Sequence, residues 1–194
     1  MRRAGFLLLV CWGAAWGQTR PSEAEIGSIQ VYMTAAEAQT KIFPRGISSK
    51  LEIKPIPAAL KAKIEEKLGR RFADDTLKVG LVYGAKEAFL GYAIVTEEIG
   101  KYRPITFMVG IDPDFSVRGA AVLVYRESRG GQVRRARFLR QYRGKSLADP
   151  IRINRDIVNI TGATMSVRSL NFGVKKLLCL TEALYSQSVY KAPQ

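Results

Sequence analysis

The chain has no histidine and only two cysteines, Cys11 and Cys179. Haem ligation, zinc binding and Ser-His catalysis therefore lack their usual residues. Cys11 lies in an N-terminal segment expected to be removed, which leaves one thiol and no intramolecular disulfide. Cys179 sits in an apolar helical run and reads as a small core hydrophobe rather than a nucleophile. No Gly-x-Gly-x-x-Gly stands between a strand and a helix, so there is no evident nicotinamide-binding unit. With these groups missing, any redox chemistry has to come from an organic cofactor.

Acidic side chains are also scarce. Asp and Glu number 17 against 31 Lys and Arg, a net charge of +14. The excess concentrates between Arg126 and Arg143, where Arg129, Arg134, Arg135, Arg137 and Arg140 also fall. Such a segment is either a solvated basic face or a docking face for an acidic partner. Nucleic acid is disfavoured as a partner, because no base-stacking aromatics interleave with the arginines and because the chain carries an export signal.

That signal is the stretch Arg2-Arg3 followed by the apolar run Ala4 to Trp16. It is too short to span a bilayer and ends in small residues, with a cut expected after Gly17, placing Ala15 at the minus-three position. Residues 1–17 are thus read as a secretory signal peptide, and the mature protein as exported with no transmembrane span. One globular domain of roughly 175 residues remains.

After a polar linker to about Gly27, Thr34-Ala35-Ala36-Glu37 has capping-box spacing and starts a helix running to Phe43, stopped by Pro44. A second helix is bracketed by Pro57 and Gly69, with Leu60, Ile64 and Leu68 on one face. Residues 18–76 are read as an N-terminal helical part. From Leu77 the period shortens to that of strands. Leu77 to Tyr83 with Phe89 to Glu97, and Ile105 to Ile111 with Val117 to Tyr125, read as two hairpins. A short helix over Arg137 to Gly144 covers the sheet edge, with Phe138, Leu139 and Tyr142 in the core. A final helix, roughly Ser166 to Ser186, puts Leu170, Val174, Leu177, Leu178, Thr181 and Leu184 on one face and Lys175 and Lys176 opposite; the tail after Tyr190 is expected to fray. The fold class is α+β: an antiparallel sheet of at least four strands packed with N- and C-terminal helices.

The chain is organised around Asn159-Ile160-Thr161-Gly162-Ala163-Thr164-Met165-Ser166, where a polar connection meets the last helix. Gly162 and Ala163 remove bulk where a flat aromatic ligand would approach the backbone. Thr164 offers a hydroxyl. Ser166 is expected to cap the helix, whose N-terminus favours a phosphate, and Arg168 adds a cation one turn in. The same small residues also fit a plain loop closing on a helix cap.

The motif resembles the attachment sequence of the FMN-binding domain family, which includes the C subunit of the sodium-translocating NADH:quinone reductase and the G subunit of the Rnf complex. The resemblance extends through Gly91 to Val95, Tyr102 to Phe107, Val109 to Asp114 and Val122 to Ser128, in order and spacing, and covers roughly Leu77 to Leu184. It implies that residues 77–190 form the FMN-binding sheet and C-terminal helix. It further implies covalent FMN, delivered by an FAD-dependent flavin transferase and held by a phosphodiester on Thr164. Thr161, Gly162, Ala163 and Ser166 would surround the attachment point, and Glu127 and Ser128 would line the flavin site. The expected role is an electron carrier between a membrane-bound redox complex and another extracytoplasmic acceptor. Two departures stand out. The family's Asp six residues before the modified Thr is here Val158, with Asp156 the nearest acid. Its Pro-Gly-Leu-Gly turn is Arg129-Gly130-Gly131-Gln132. Two other readings stay open. One is a flavin-dependent reductase of a small acceptor, with Glu127 or Tyr142 as proton donor. The other is a non-flavinylated binding module with the same fold.

Overall fold

The computed structural model describes residues 29–189, with side chains to residue 186. The expected signal peptide, Cys11, the linker to Gly27 and the tail after Tyr190 lie outside the described residues.

A six-stranded sheet, antiparallel at every pairing, forms the centre. In chain order the elements are β1 (Gln30–Val31), α1 (Ala35–Ile42), β2 (Ser48–Pro55), α2 (Ala58–Leu68), β3 (Thr76–Tyr83), β4 (Phe89–Ile99), β5 (Pro104–Ile111), β6 (Val117–Tyr125), α3 (Ala136–Leu139) and α4 (Thr164–Val189). Across the sheet the order is β1-β6-β5-β4-β3-β2. The four expected strands form the centre as two hairpins joined through β4 and β5. The segment read as helical supplies both edges as well: β1 is too short to show a period, and β2 hides its own behind exposed Leu51 and Ile53.

The two N-terminal helices form where the punctuation puts them. Thr34 accepts from the Glu37 backbone N–H at 3.2 Å and Glu37 accepts from the Thr34 backbone N–H at 2.7 Å, a complete capping box. Pro57 and Gly69 flank α2 as expected.

Because strands alternate, the sheet builds two cores. Leu77, Val79, Ile94, Phe107 and Val109 meet Val167, Leu170, Val174, Leu177 and Leu178 of α4. On the other face Val82, Ala93, Met108, Ala121 and Leu123 meet Ala38, Ile42 and Phe43 of α1 and its end. Each fully buried Leu, Val or Phe contributes about 1.5–3 kcal/mol, so α4 is clamped along much of its length. Phe138, Leu139, Tyr142 and Cys179 join the core as expected, and burial pushes the Cys179 thiol up from its ordinary value.

Lys176 corrects the helical-wheel reading. It is only 2% exposed, and its Nζ lies 2.7 Å from Asp74 Oδ2 and 2.8 Å from Glu98 Oε1. The wheel shows the angle of a residue on its helix but not the loop between α2 and β3, which brings Asp74 over that angle. No helix among the described residues is long and apolar enough to cross a membrane.

Candidate functional site

The start of α4, the end of β6 and the β4–β5 turn converge on one groove. A cavity of about 600 Å³ is walled by Lys101 and Tyr102 from the turn, by Glu127, Ser128 and Arg129 after β6, and by Gly162 to Ser166. A second chamber of about 440 Å³ shares Glu127, Ser128, Arg129 and Gly162 with it and adds Thr161, Tyr32, Arg134 and Arg135. All seven residues singled out in the sequence therefore meet here: Thr161 in the second chamber, and Gly162, Ala163, Thr164, Ser166, Glu127 and Ser128 in the first. Both volumes fall in the range of small-molecule sites.

Each wall has a local cause. The Ala163 N–H bonds the Ile160 carbonyl at 2.9 Å, closing a turn in which Gly162 takes φ +79. Any other residue would be strained there, and a Cβ on Gly162 would project into open space. Thr164 is the first residue of α4, and the residue before it is alanine, which has no side-chain acceptor to cap the helix. The amides of the first turn are thus left for a ligand, and the positive end of the helix dipole favours an anion there.

Ser166 does not cap the helix. It lies inside the first turn, 4% exposed, with its Oγ 2.8 Å from the Tyr125 hydroxyl. The helix starts two residues earlier than expected, which turns Ser166 from a cap into a link between α4 and β6. Tyr125 also donates to the Arg129 carbonyl, fixing the turn after β6. Burial raises the Tyr125 pKa above its ordinary value; the Ser166 bond opposes this, and the nearby charge of Glu127 adds to it. Gly130, at φ +91, packs into this junction: a Cβ would come within 2.6 Å of the Tyr125 hydroxyl and 2.9 Å of Ser166 Oγ.

Glu127 is 5% exposed. Its Oε1 accepts from the backbone N–H groups of Tyr102 at 2.6 Å and Arg103 at 3.0 Å. The carboxylate therefore holds the β4–β5 turn in place as well as lining the cavity. Sequence reasoning did not single out Lys101, Tyr102, Arg129, Tyr125 or Met165. The pairing of β4 with β5 carries the first two in, and no short-range signal announces it. Tyr142, weighed as a proton donor, is fully buried and donates to Asn171 Oδ1 at 2.7 Å. It lines neither chamber, because its helical spacing points it into the core.

The departure at position 158 is also explained in part. Val158 is 73% exposed, whereas the Asp156 side chain is 17% exposed. Its carboxylate accepts from the Ile151 N–H at 3.0 Å and the Arg152 N–H at 2.8 Å, and lies 2.8 Å from Lys145 Nζ. Burial works against its charge, but Lys145 and the two amides outweigh that and hold the carboxyl below its usual range. Asp156 is committed to the loop that leads into the motif and cannot stand in for an acid displayed at position 158.

The arrangement fits a flavin nucleotide chemically. A hydroxyl and free helix amides face a cavity that has cationic Lys101 and Arg129, an aromatic Tyr102 and a wall bared by Gly162. Comparison with known proteins agrees. Residues 100–179 match the family model of the FMN-binding domain. The crystal structure of Shewanella oneidensis NqrC shares the fold, with a TM-score of 0.53 and 15% sequence identity over 76% of this chain and 86% of that one. No curated protein sequence matches the chain. The matched stretch runs from the β4–β5 turn into α4 and includes every residue singled out for the site, and over it the chain is similar to FMN-binding domains.

Proposed function

We propose that the protein is an exported one-cofactor electron carrier in which FMN is joined to Thr164 by a phosphodiester. The observation that carries this reading is Thr164 lining the cavity of about 600 Å³ as the first residue of a long, clamped helix. In the attachment, Thr164 Oγ1 forms a bond to the FMN phosphorus of FAD and the pyrophosphate bond to AMP breaks. AMP leaves, and the hydroxyl proton passes to a base of the flavin transferase. The helix amides and dipole would hold the remaining phosphodiester charge. Lys101, Tyr102 and Arg129 would surround the ring system, and Glu127 would keep their turn in place. Flavin, when bound, supplies the electron transfer; the protein supplies position, burial and electrostatics. Electrons would pass between a membrane-bound donor and an acidic extracytoplasmic acceptor, drawn by the basic segment after β6.

Val158 supports a second reading, a non-flavinylated module with the same fold, because the exposed position carries no acid for a transferase to recognise. One experiment separates the two. The chain is co-expressed with a flavin transferase in exported form, and intact mass and in-gel flavin fluorescence are measured beside Thr164→Ala. The carrier reading expects a mass starting near Gln18 plus one FMN-sized increment that Thr164→Ala abolishes. No increment on the wild type would reject covalent attachment.

A further inference from the structure

Before the chain reaches Thr164 it is pinned by two side-chain amides. The Val158 N–H donates to Gln141 Oε1 at 2.7 Å, and Gln141 Nε2 lies 3.5 Å from the Val158 carbonyl. One residue on, Asn159 Nδ2 donates to Thr164 Oγ1 at 2.9 Å. Asn159 Oδ1 is buried and has no hydrogen-bond partner among the described residues. Buried polar atoms are rarely left unpaired, and each instance asks for a reason.

We propose that Asn159 is a positioning residue for the Thr164 hydroxyl, fixing its polarity for attack on a phosphorus; the proposal rests on the reading of Thr164 as the attachment point. A hydroxyl has one proton and two lone pairs. A donor occupying one lone pair steers the proton away from Asn159, where a transferase base can take it, and leaves the other lone pair for the new bond. Once the ester has formed, Oγ1 has no proton but still accepts, so the same N–H keeps its partner before and after attachment. With the amide turned over, Oδ1 would hold the hydroxyl proton and the NH₂ would be orphaned. The unpaired Oδ1 is thus the consequence of placing a donor on Thr164. An asparagine does this without a charge, whereas a carboxylate would repel the phosphodiester beside it. Gln141 contributes by fixing the backbone one residue upstream, so that the amide cannot drift from Oγ1.

The test is the time course of FMN addition, read by intact mass, for purified wild type, Asn159→Ala and Asn159→Asp with a flavin transferase and FAD between about pH 4.5, close to the ordinary range of an aspartate, and about pH 8.5. Loss of the donor should slow Asn159→Ala about tenfold, the worth of one hydrogen bond. The isosteric Asn159→Asp should be no faster than Asn159→Ala at pH 8.5. It should recover relative to wild type as the pH falls, because the protonated acid again donates. A packing role would make Asn159→Asp the milder change at every pH. Wild-type rates for both variants would overturn the proposal and leave the attachment reading intact. A wild type that gains no mass would overturn both. Should Asn159→Ala fail to fold by circular dichroism, the pH dependence of Asn159→Asp decides alone.

Discussion

Replacing Lys176 by Met tests how α4 is locked to the sheet beneath the site. Lys176 Nζ sits between Asp74 and Glu98, and Arg70 Nη2 lies 3.8 Å from Glu98 Oε2. The two acids differ in what they lose. The Asp74 side chain is 46% exposed and can turn to water, whereas that of Glu98 is 6% exposed and cannot. The orphan is therefore Glu98, and removing one partner of a buried pair costs about 3–5 kcal/mol. Glu98 can reduce that cost by taking up a proton. Burial already raises its pKa above 4.5, with Lys176 and then Arg70 opposing and Asp74 adding to the rise. Loss of Lys176 should raise it further. For a carboxyl with a raised folded pKa, the associated stability is fully present below the unfolded value and is lost as pH rises through the folded one. The penalty of Lys176→Met should therefore be small near pH 4.5 and grow by about 1.4 kcal/mol per pH unit. It should level off at about 3 kcal/mol above the new folded pKa. Urea unfolding of both proteins from pH 5 to 8 measures this. A difference that stays constant across that range would refute the assignment of Glu98 as the orphan, and one below about 1 kcal/mol at pH 8 would refute the buried-pair argument itself.

Asp156→Asn removes the charge that holds Lys145 and the amides of Ile151 and Arg152, and should cost about 1–2 kcal/mol at pH 7. Since the folded pKa of Asp156 is lowered, its contribution is present above the unfolded value and lost as pH falls through the folded one, so the two proteins should converge in thermal stability once the pH lies below that lowered value. A difference persisting there would mean the loop is held by something other than the carboxylate. Once loaded and reduced, the wild type should be reoxidised faster by an anionic oxidant such as ferricyanide than by a cationic metal complex of similar potential. The anionic rate should fall roughly tenfold between 10 and 500 mM salt, because screening shortens the reach of the basic segment. Equal salt responses for the two oxidants would place the basic face away from the flavin edge.

By itself the sequence determined the features that rest on near neighbours. The capping box at Thr34, the bounds of α2, the four central strands and the turn at Gly162 all follow from spacing, glycine and proline, whose effects act within a few residues. The seven residues that meet at the two chambers could be singled out because they lie in two short stretches whose order resembles a known domain. Tertiary structure alone decided what depends on distant chain. Sheet pairing brought Lys101 and Tyr102 to Thr164, and the loop before β3 turned Lys176 from a surface charge into a buried one. Ser166 became a link to Tyr125 instead of a cap because the packing of α4 against the sheet let its helix begin two residues earlier. Hydrophobic period reports the face of an element and stays silent on what that face will meet.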